Sequence, residues 1–118
     1  MKKYTIGVDL GGTTITAGIV DENCRVVRKC TCDTELPQPE TVVEEKIAGL
    51  CRRVLQENDM TLDDIRWVGI GTPGTVDRHT GVVGFANNLD FYNTPLGEMV
   101  QKQVHVPVYV ANDADAAA

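Results

Sequence analysis

The residues with the clearest chemical potential lie near the N-terminus, at positions 9–14, where the sequence reads Asp-Leu-Gly-Gly-Thr-Thr. Apolar runs at 4–8 and 15–20 flank them, which predicts a strand, a tight turn and a returning strand. The two glycines would let the backbone approach an anion without a Cβ in the way, and their N–H groups and the Thr13 hydroxyl could donate to phosphate oxygens. The Asp9 carboxylate would suit the Mg²⁺ that accompanies a nucleotide.

The same residues are also compatible with an ordinary hairpin turn, because Gly-Gly is common between paired strands. They do not form a Walker A loop, which requires a Gly-Lys-Ser/Thr ending before a helix. They also differ from the dinucleotide-binding fingerprint, because no helical pattern follows the glycines. Taken alone, the stretch leaves a phosphate-binding hairpin and a purely structural hairpin as equal alternatives.

Length and charge narrow the class of protein. The 118 residues are enough for one domain with a hydrophobic core, and the formal net charge of -6 argues against non-specific binding to nucleic acid. No apolar run is long enough to span a bilayer, and the first three residues lead into a strand without a signal-peptide pattern. We therefore expect a cytoplasmic protein with neither a nucleic acid nor a membrane as its partner.

The cysteines and histidines add no predicted metal or catalytic site. The cysteine spacing fits no common zinc site, because one residue separates the closest two and no second pair follows. The four are Cys24, Cys30, Cys32 and Cys51. We expect reduced thiols that act as small, partly buried hydrophobes. His79 and His105 lie in unrelated contexts, and neither is given a catalytic role.

The apolar patterns predict the elements that position these residues. Strands are predicted at 3–9, 14–20, 24–32, 67–71 and 106–111. A helix is predicted from Thr41, which has Glu44 at the capping-box position, to Asn58, and another begins with Pro95 at its first position.

Finer features of these elements are also predicted. The basic strand at 24–32 suits a sheet edge, and the strand at 67–71 is expected to be buried on both faces. Thr61 with Asp64 could cap a short turn, and residues 77–81 are predicted to form a polar turn.

The order of the elements predicts how the sheet is assembled. Tight turns make the first three strands antiparallel, and helical crossovers make the last two parallel to the first. The expected fold class is therefore α/β, with a mixed five-stranded sheet and helices packed on it. Residues 114–118 begin a helical pattern with no stop signal, so we expect the N-terminal part of a longer protein.

Ligands of open α/β sheets bind where loops leave the carboxyl ends of strands. Here those loops are at 9–13, 69–74 and 112–113, and a fourth segment at 85–89 lies between the last two. In order, they contain Asp-x-Gly-Gly-Thr, Gly-x-Gly-x-Pro-Gly, Asn-Leu-x-aromatic ahead of Pro-Leu, and Asn-Asp-Ala-x-Ala-Ala.

Over its whole length, the chain with this ordered set of motifs resembles the N-terminal domain of the ROK family of sugar kinases and repressors. That family lies within the wider group of sugar kinases, actin and heat-shock ATPases. The resemblance implies a ribonuclease H-like (actin-like ATPase) fold. It also implies that residues 1–118 form the N-terminal lobe of a two-lobed sugar kinase whose second lobe is absent from this chain.

The resemblance implies roles on the sugar side of the site. Asp113 matches the catalytic base that accepts the proton of the attacking sugar hydroxyl, although an Asp there could also serve only as a helix N-cap. Asn112 and Asn88 match the sugar-binding asparagines, with Asn87 as a turn residue. Pro73 and Gly74 match the stretch that lies against the sugar.

On the nucleotide side, the resemblance implies a phosphate and magnesium loop made by Asp9, Gly11, Gly12 and Thr13. Two departures from the common family pattern affect which residue roles the resemblance implies for this chain. Phe91 stands where many members carry Trp, which could reshape the sugar-side wall. Thr14 stands where Lys or Asn is common, which could alter contacts near the phosphates.

The implied activity is the ATP-dependent phosphorylation of a hexose hydroxyl, most simply the 6-OH of glucose, with Mg²⁺ as charge neutraliser. The implied partner is a small sugar, and a homodimer of the full-length protein is compatible with the resemblance.

A sugar-responsive transcriptional regulator is the alternative function. Family repressors, however, carry a helix-turn-helix ahead of the first strand, and only three residues precede that strand here. A non-sugar ATPase is disfavoured by the asparagines and the Pro-Gly loop. Which hexose is used, and whether ATP or polyphosphate is the donor, stay open.

Overall fold

The computed structural model describes residues 3–36, 38–86 and 91–112. Within them the strands are β1 Tyr4–Leu10, β2 Thr14–Val20, β3 Val26–Asp33, β4 Ile65–Thr72, β5 Thr75–Asp77, β6 Val82–Ala86, β7 Phe91–Thr94 and β8 Val108–Asn112. The helices are α1 Glu40–Gln56 and α2 Leu96–Val104, with a single 3₁₀ turn at Leu62–Asp64.

The main sheet has five strands in the order β3-β2-β1-β4-β8. The pairs β1–β2 and β2–β3 are antiparallel, whereas β4 is parallel to β1 and β8 is parallel to β4. This confirms the predicted mixed sheet of three antiparallel and two parallel strands, with the basic strand at one edge. The carboxyl ends of β1, β4 and β8 consequently meet along one edge of the sheet.

Alternation along β1 divides the sheet into two faces. Ile6, Val8 and Leu10 are buried on one face, and the residues between them point to the other. Both helices pack on the buried face, where the core is completed by Val43, Ile47, Ala48, Leu50, Cys51, Val54, Leu55, Leu96, Val100 and Val104. Burial of these apolar side chains is the main favourable contribution to folding.

The opposite face of the sheet is open in the described part of the chain. Trp67 is 42% exposed and Tyr109 is 58% exposed, and their rings meet edge to face at a centroid distance of 6.3 Å. The prediction that the fourth strand is buried on both faces is therefore wrong. Its other face does pack in the core, through Ile65, Val68 and Ile70.

The start of α1 also differs from the prediction. The helix begins at Glu40, and its N-cap is Pro39, which makes no side-chain capping bond; the carbonyl of Pro39 accepts the N–H of Val42 and of Val43 instead. Thr41 is already inside the first turn, so the predicted capping box with Glu44 is wrong.

The second predicted box, between Thr61 and Asp64, is present at the 3₁₀ turn. The Thr61 side chain accepts the N–H of Asp63, and the Asp64 carboxylate accepts the N–H of Thr61 at 3.0 Å. Both elements contain Thr-x-x-acid, and only the one without a proline just ahead of it forms the box.

A second, three-stranded antiparallel sheet in the order β5-β6-β7 lies between β4 and α2. The sequence pattern predicts only a polar turn here, and that turn is the tip of the β5–β6 hairpin. The Asp77 carboxylate accepts the N–H of His79 at 2.9 Å, and Gly81, at φ 72°, packs against Gly97 of α2. A Cβ on Gly81 would lie 3.2 Å from the Gly97 Cα, so this contact needs glycine.

Candidate functional site

The register of the parallel strands brings predicted site residues to one edge. Asp9 of β1 is opposite Gly71 of β4, and Thr72 of β4 is opposite Asn112 of β8. Asp9 is exposed, on the open face of the sheet. The first and third predicted loops thus flank the loop at Pro73, at the carboxyl edge where ligands of such sheets bind.

The loop between β1 and β2 has a geometry that requires its first glycine. The Gly11 N–H donates to the Thr14 carbonyl at 3.0 Å, and a Cβ on Gly11 would lie 2.9 Å from that same oxygen. Gly12 and Thr13 form the exposed tip of the turn. Backbone donors and a hydroxyl at an exposed tip fit a phosphate group, because nothing in the described chain covers them.

Thr34 contacts the candidate site, and no sequence motif predicts it. It directly follows β3 and is fully buried. Its N–H donates to the Thr13 carbonyl at 2.8 Å, and its hydroxyl donates to the Gly11 carbonyl at 2.9 Å. No local motif marks this residue, since its partners lie more than twenty positions away along the chain.

On the predicted sugar side, one hydrogen bond joins two of the predicted elements. The Asn112 Nδ2 donates to the Gly74 carbonyl at 2.6 Å, and Gly74 has a φ of 93°, in the left-handed region that favours glycine. Thr72, the last residue of β4 and the one directly before Pro73, is fully buried. Asn112 therefore fixes the backbone of the Pro73–Gly74 loop relative to β8.

The remaining predicted site residues fall outside the described part of the chain. These are the predicted base Asp113 and the predicted sugar ligand Asn88, together with the turn residue Asn87. Their assignments stay predictions.

A concavity of about 790 Å³ lies on the open face of the sheet. Its lining reaches the carboxyl edge at Asp9, Gly71 and Ala111, and Trp67 and Tyr109 also border it. The loop tip at Gly12 is not part of this lining. The concavity therefore adjoins the predicted phosphate loop without enclosing it.

The described residues hold no cluster of three or more His, Cys, Asp or Glu side chains that could bind a metal ion by themselves. Asp9 alone still fits Mg²⁺, because this ion is usually held by one or two carboxylates together with the phosphates of the substrate. Among the helices that the structure describes, none has the length and apolar character needed to cross a membrane.

The cysteines are free thiols in different surroundings. Cys30 and Cys51 are buried and Cys32 is half-buried, as expected, whereas Cys24 is exposed in the β2–β3 turn. Burial is the main reason that the pKa of the Cys51 thiol rises to about 12, so this thiol stays protonated over the physiological range.

Comparison with known proteins places this geometry in a family. Residues 5–118 match the sequence model of the ROK family. The chain is 38% identical over 116 residues to a glucokinase of Thermotoga maritima, and the match covers 98% of this chain and 35% of that protein. The chain thus spans about a third of the length of this relative.

A solved structure agrees with the fold. A ROK family glucokinase from Streptomyces griseus, in complex with glucose and AMPPNP, superposes with a TM-score of 0.85 at 38% identity, over 97% of this chain and 34% of that one. The mixed sheet with its helices is accordingly the actin-like ATPase fold of ROK sugar kinases, as the sequence analysis expected.

Repressors of the family also match. The xylose repressor of Caldicellulosiruptor bescii is 28% identical over 113 residues, which cover 96% of this chain and 28% of that protein. Kinases and regulators thus share this domain, and the family match spans nearly every residue of the chain. On that match, this chain belongs to the ROK family.

Proposed function

We propose that this chain is the N-terminal lobe of an ATP-dependent hexose kinase whose acceptor is the 6-OH of glucose. The observation that carries the proposal is the meeting of the glycine loop of β1–β2 with the Gly74–Asn112 pair at one carboxyl edge. A donor phosphate and a sugar must lie side by side for in-line transfer, and this edge offers a place for each. The likeness to a glucokinase solved with glucose and AMPPNP supports this choice.

On the donor side, ATP would be held at its phosphates by the backbone N–H of Gly12 and by the Thr13 hydroxyl, while Gly11, whose own N–H is bound to the Thr14 carbonyl, would shape the turn. Asp9 would hold Mg²⁺, which supplies the positive charge that neutralises the phosphates during transfer. The protein's contribution is then positioning and electrostatic stabilisation, since phosphoryl transfer needs little covalent help from side chains.

On the acceptor side, Asn112 would orient the Pro73–Gly74 loop against the sugar through its bond to the Gly74 carbonyl. Asn88 would donate to and accept from ring hydroxyls, as amide side chains can do both. Asp113 would accept the proton of the attacking hydroxyl. A general base of this kind contributes about 10²–10⁴-fold to the rate.

The test is an assay of the full-length protein with Mg-ATP against a panel of hexoses and N-acetylhexosamines. We expect one sugar to be phosphorylated, and Asp113→Asn to lower kcat by about 10²–10⁴-fold while calorimetry gives a sugar affinity close to that of the wild type. Asp115→Asn is the matched control, since it removes the same charge two residues away. Near-normal turnover by Asp113→Asn would refute the assigned base.

A second candidate, a sugar-responsive regulator, is favoured by the match to xylose repressors. The same panel separates the two. Turnover on any sugar supports the kinase. Sugar binding without turnover, with either ATP or polyphosphate as donor, would instead support the regulator.

A further inference from the structure

We propose that Thr34 is a positioning residue of the phosphate loop, residues 11–13 between β1 and β2. From the buried side of the loop, Thr34 keeps it in a conformation that can bind phosphate. The proposal rests on the proposed function of the β1–β2 loop as the donor-phosphate site. Thr34 is fully buried, and both of its donors are directed at that loop. Its hydroxyl binds the Gly11 carbonyl at 2.9 Å and its N–H binds the Thr13 carbonyl at 2.8 Å.

These two bonds determine which way the peptide groups of the loop face. In a planar trans peptide the C=O and the following N–H point in opposite directions. The Gly11 carbonyl points towards the buried Thr34, so the N–H of Gly12 in the same peptide points away from it, on the exposed side of the turn. The bond to Thr34 therefore presents a donor to an incoming phosphate and keeps a repelling carbonyl oxygen away from it.

Thr34 is itself held by its neighbours. We call residues 33–35 the brace segment. The Lys46 ammonium, from α1, donates to the Asp33 carbonyl at 3.1 Å and to the Glu35 carboxylate at 2.8 Å. Glu35 has a φ of 60°, which a residue other than glycine rarely adopts, so the segment is bent sharply just after Thr34. Contacts from α1 thus fix the brace segment, and the brace segment fixes the loop.

The experiment separates the hydroxyl from the volume of the side chain. Thr34→Val keeps the shape and loses the donor, whereas Thr34→Ser keeps the donor and loses a methyl group. Each is made in the full-length protein and titrated with Mg-AMPPNP and, separately, with glucose. We expect Thr34→Val to weaken nucleotide binding about tenfold, as loss of one hydrogen bond of about 1.4 kcal/mol implies, with little change for glucose. Thr34→Ser should recover most of the nucleotide affinity.

Thr94→Val is the matched control. Thr94 is equally buried, and its hydroxyl donates to the Glu40 carboxylate at 2.7 Å instead of to a carbonyl of the loop. The Thr94→Val substitution removes a buried threonine hydroxyl that does not bind Gly11 or Thr13, so nucleotide affinity should stay at the wild-type value. A loss of nucleotide affinity in Thr94→Val equal to that in Thr34→Val would assign the effect to general destabilisation and overturn the proposal.

A readout that does not depend on nucleotide binding completes the test. The backbone amide signals of Gly12 and Thr13 in the free protein should shift in Thr34→Val and return towards their wild-type positions in Thr34→Ser. Unchanged amide signals in folded Thr34→Val would overturn the positioning role. Normal loop signals in a wild-type protein that binds no Mg-AMPPNP would instead overturn the proposed function, and with it the phosphate role of the loop.

A second variant covers the case in which Thr34→Val does not fold. Lys46→Met is that variant, since it removes both contacts of Lys46 to the brace segment. Loop signals and nucleotide affinity unchanged in Lys46→Met would likewise overturn the proposal.

Discussion

At the scale of single residues, the loop depends on the absence of a side chain at one position. The space where a Cβ of Gly11 would lie is taken by the Thr14 carbonyl oxygen, 2.9 Å away, and that oxygen is the partner of the Gly11 N–H. A backbone oxygen cannot move aside as the end of a flexible side chain can. Glycine is therefore required at this turn whether or not a phosphate binds there.

Gly11→Ala tests this requirement. We expect it to lower the free energy of unfolding by about 1–3 kcal/mol, the usual cost of forcing atoms into a filled space, and to weaken nucleotide binding. The matched change is Gly49→Ala, on α1, where an added Cβ meets nothing within 4 Å. There alanine should raise the free energy of unfolding by about 0.5–1 kcal/mol, since glycine is a poor helix former. Denaturant unfolding of both variants measures the contrast, and equal effects would contradict this account.

At the scale of elements, α1 does more than cover the sheet. Its N-terminal half carries Lys46, which holds the brace segment, and its first residue, Glu40, accepts the hydroxyl of Thr94 at the end of β7. Arg52 donates to the carbonyl of Gln103 on α2 at 3.0 Å. One helix thus ties the edge strand, the second sheet and α2 to the same core, which keeps the carboxyl edge in a fixed arrangement.

The contact between Glu35 and Lys46 predicts a dependence of stability on pH. The bond to Lys46 lowers the pKa of the Glu35 carboxyl, and the same bond raises the pKa of Lys46. Stabilisation by Glu35 is therefore complete above the ordinary glutamate pKa of about 4.3 and is lost as the pH falls through the lower folded value. The stabilisation that Lys46 provides is present below the ordinary lysine pKa of about 10.4, and it is lost as the pH rises through the higher folded pKa.

Glu35→Gln should therefore reduce stability at neutral pH and flatten the acid side of the profile, with little change relative to the wild type once the pH is below the lowered pKa of Glu35. The effect will be small, because the pair is solvent-accessible and screened. Thermal unfolding from pH 2 to 7 measures it. Glu57→Gln, at an exposed helical pair with Arg53, is the control; it leaves the brace segment intact and should not alter nucleotide binding. An acid profile of Glu35→Gln parallel to that of the wild type would contradict the pKa shift.

At the scale of the whole molecule, the two faces of the sheet are unequal. One carries both helices and the core, whereas the other exposes Trp67 and Tyr109 around a concavity of about 790 Å³. The chain also spans about a third of the length of the glucokinase from Thermotoga maritima. A single core on one face is enough for folding, but a phosphoryl-transfer site must exclude water from several sides.

Residues 1–118 expressed alone should therefore fold and yet show no sugar-dependent ATP consumption. Circular dichroism should give a cooperative transition, because five paired strands and the two helices on one face form a hydrophobic core within the described residues. Trp67, the single tryptophan, should be readily quenched by acrylamide, given its 42% exposure. Robust turnover by residues 1–118 alone would contradict the proposed requirement for a second lobe, and a shielded tryptophan would contradict the open face.

The sequence by itself determined the order of the five main strands along the chain, their relative directions, the glycine loop and the edge position of the basic strand. These features follow from sequence patterns, because apolar alternation and turn residues act over a few neighbouring residues, and a helix between two strands of one sheet makes those strands parallel. The motifs also sufficed to identify the family. The sequence did not predict the short strands of the second sheet, since three to five residues carry too little periodicity, nor which of two Thr-x-x-acid pairs would cap.

Only the tertiary structure decided what supports the loop. Thr34 and Asn112 act on Gly11 and Gly74, more than twenty residues away along the chain, through backbone carbonyls that every residue possesses. Such contacts depend on where the folded chain places a carbonyl and leave no mark in the types of residue nearby. The exposure of Trp67 was likewise a tertiary outcome, because a strand's apolar pattern does not reveal whether a second layer covers its other face.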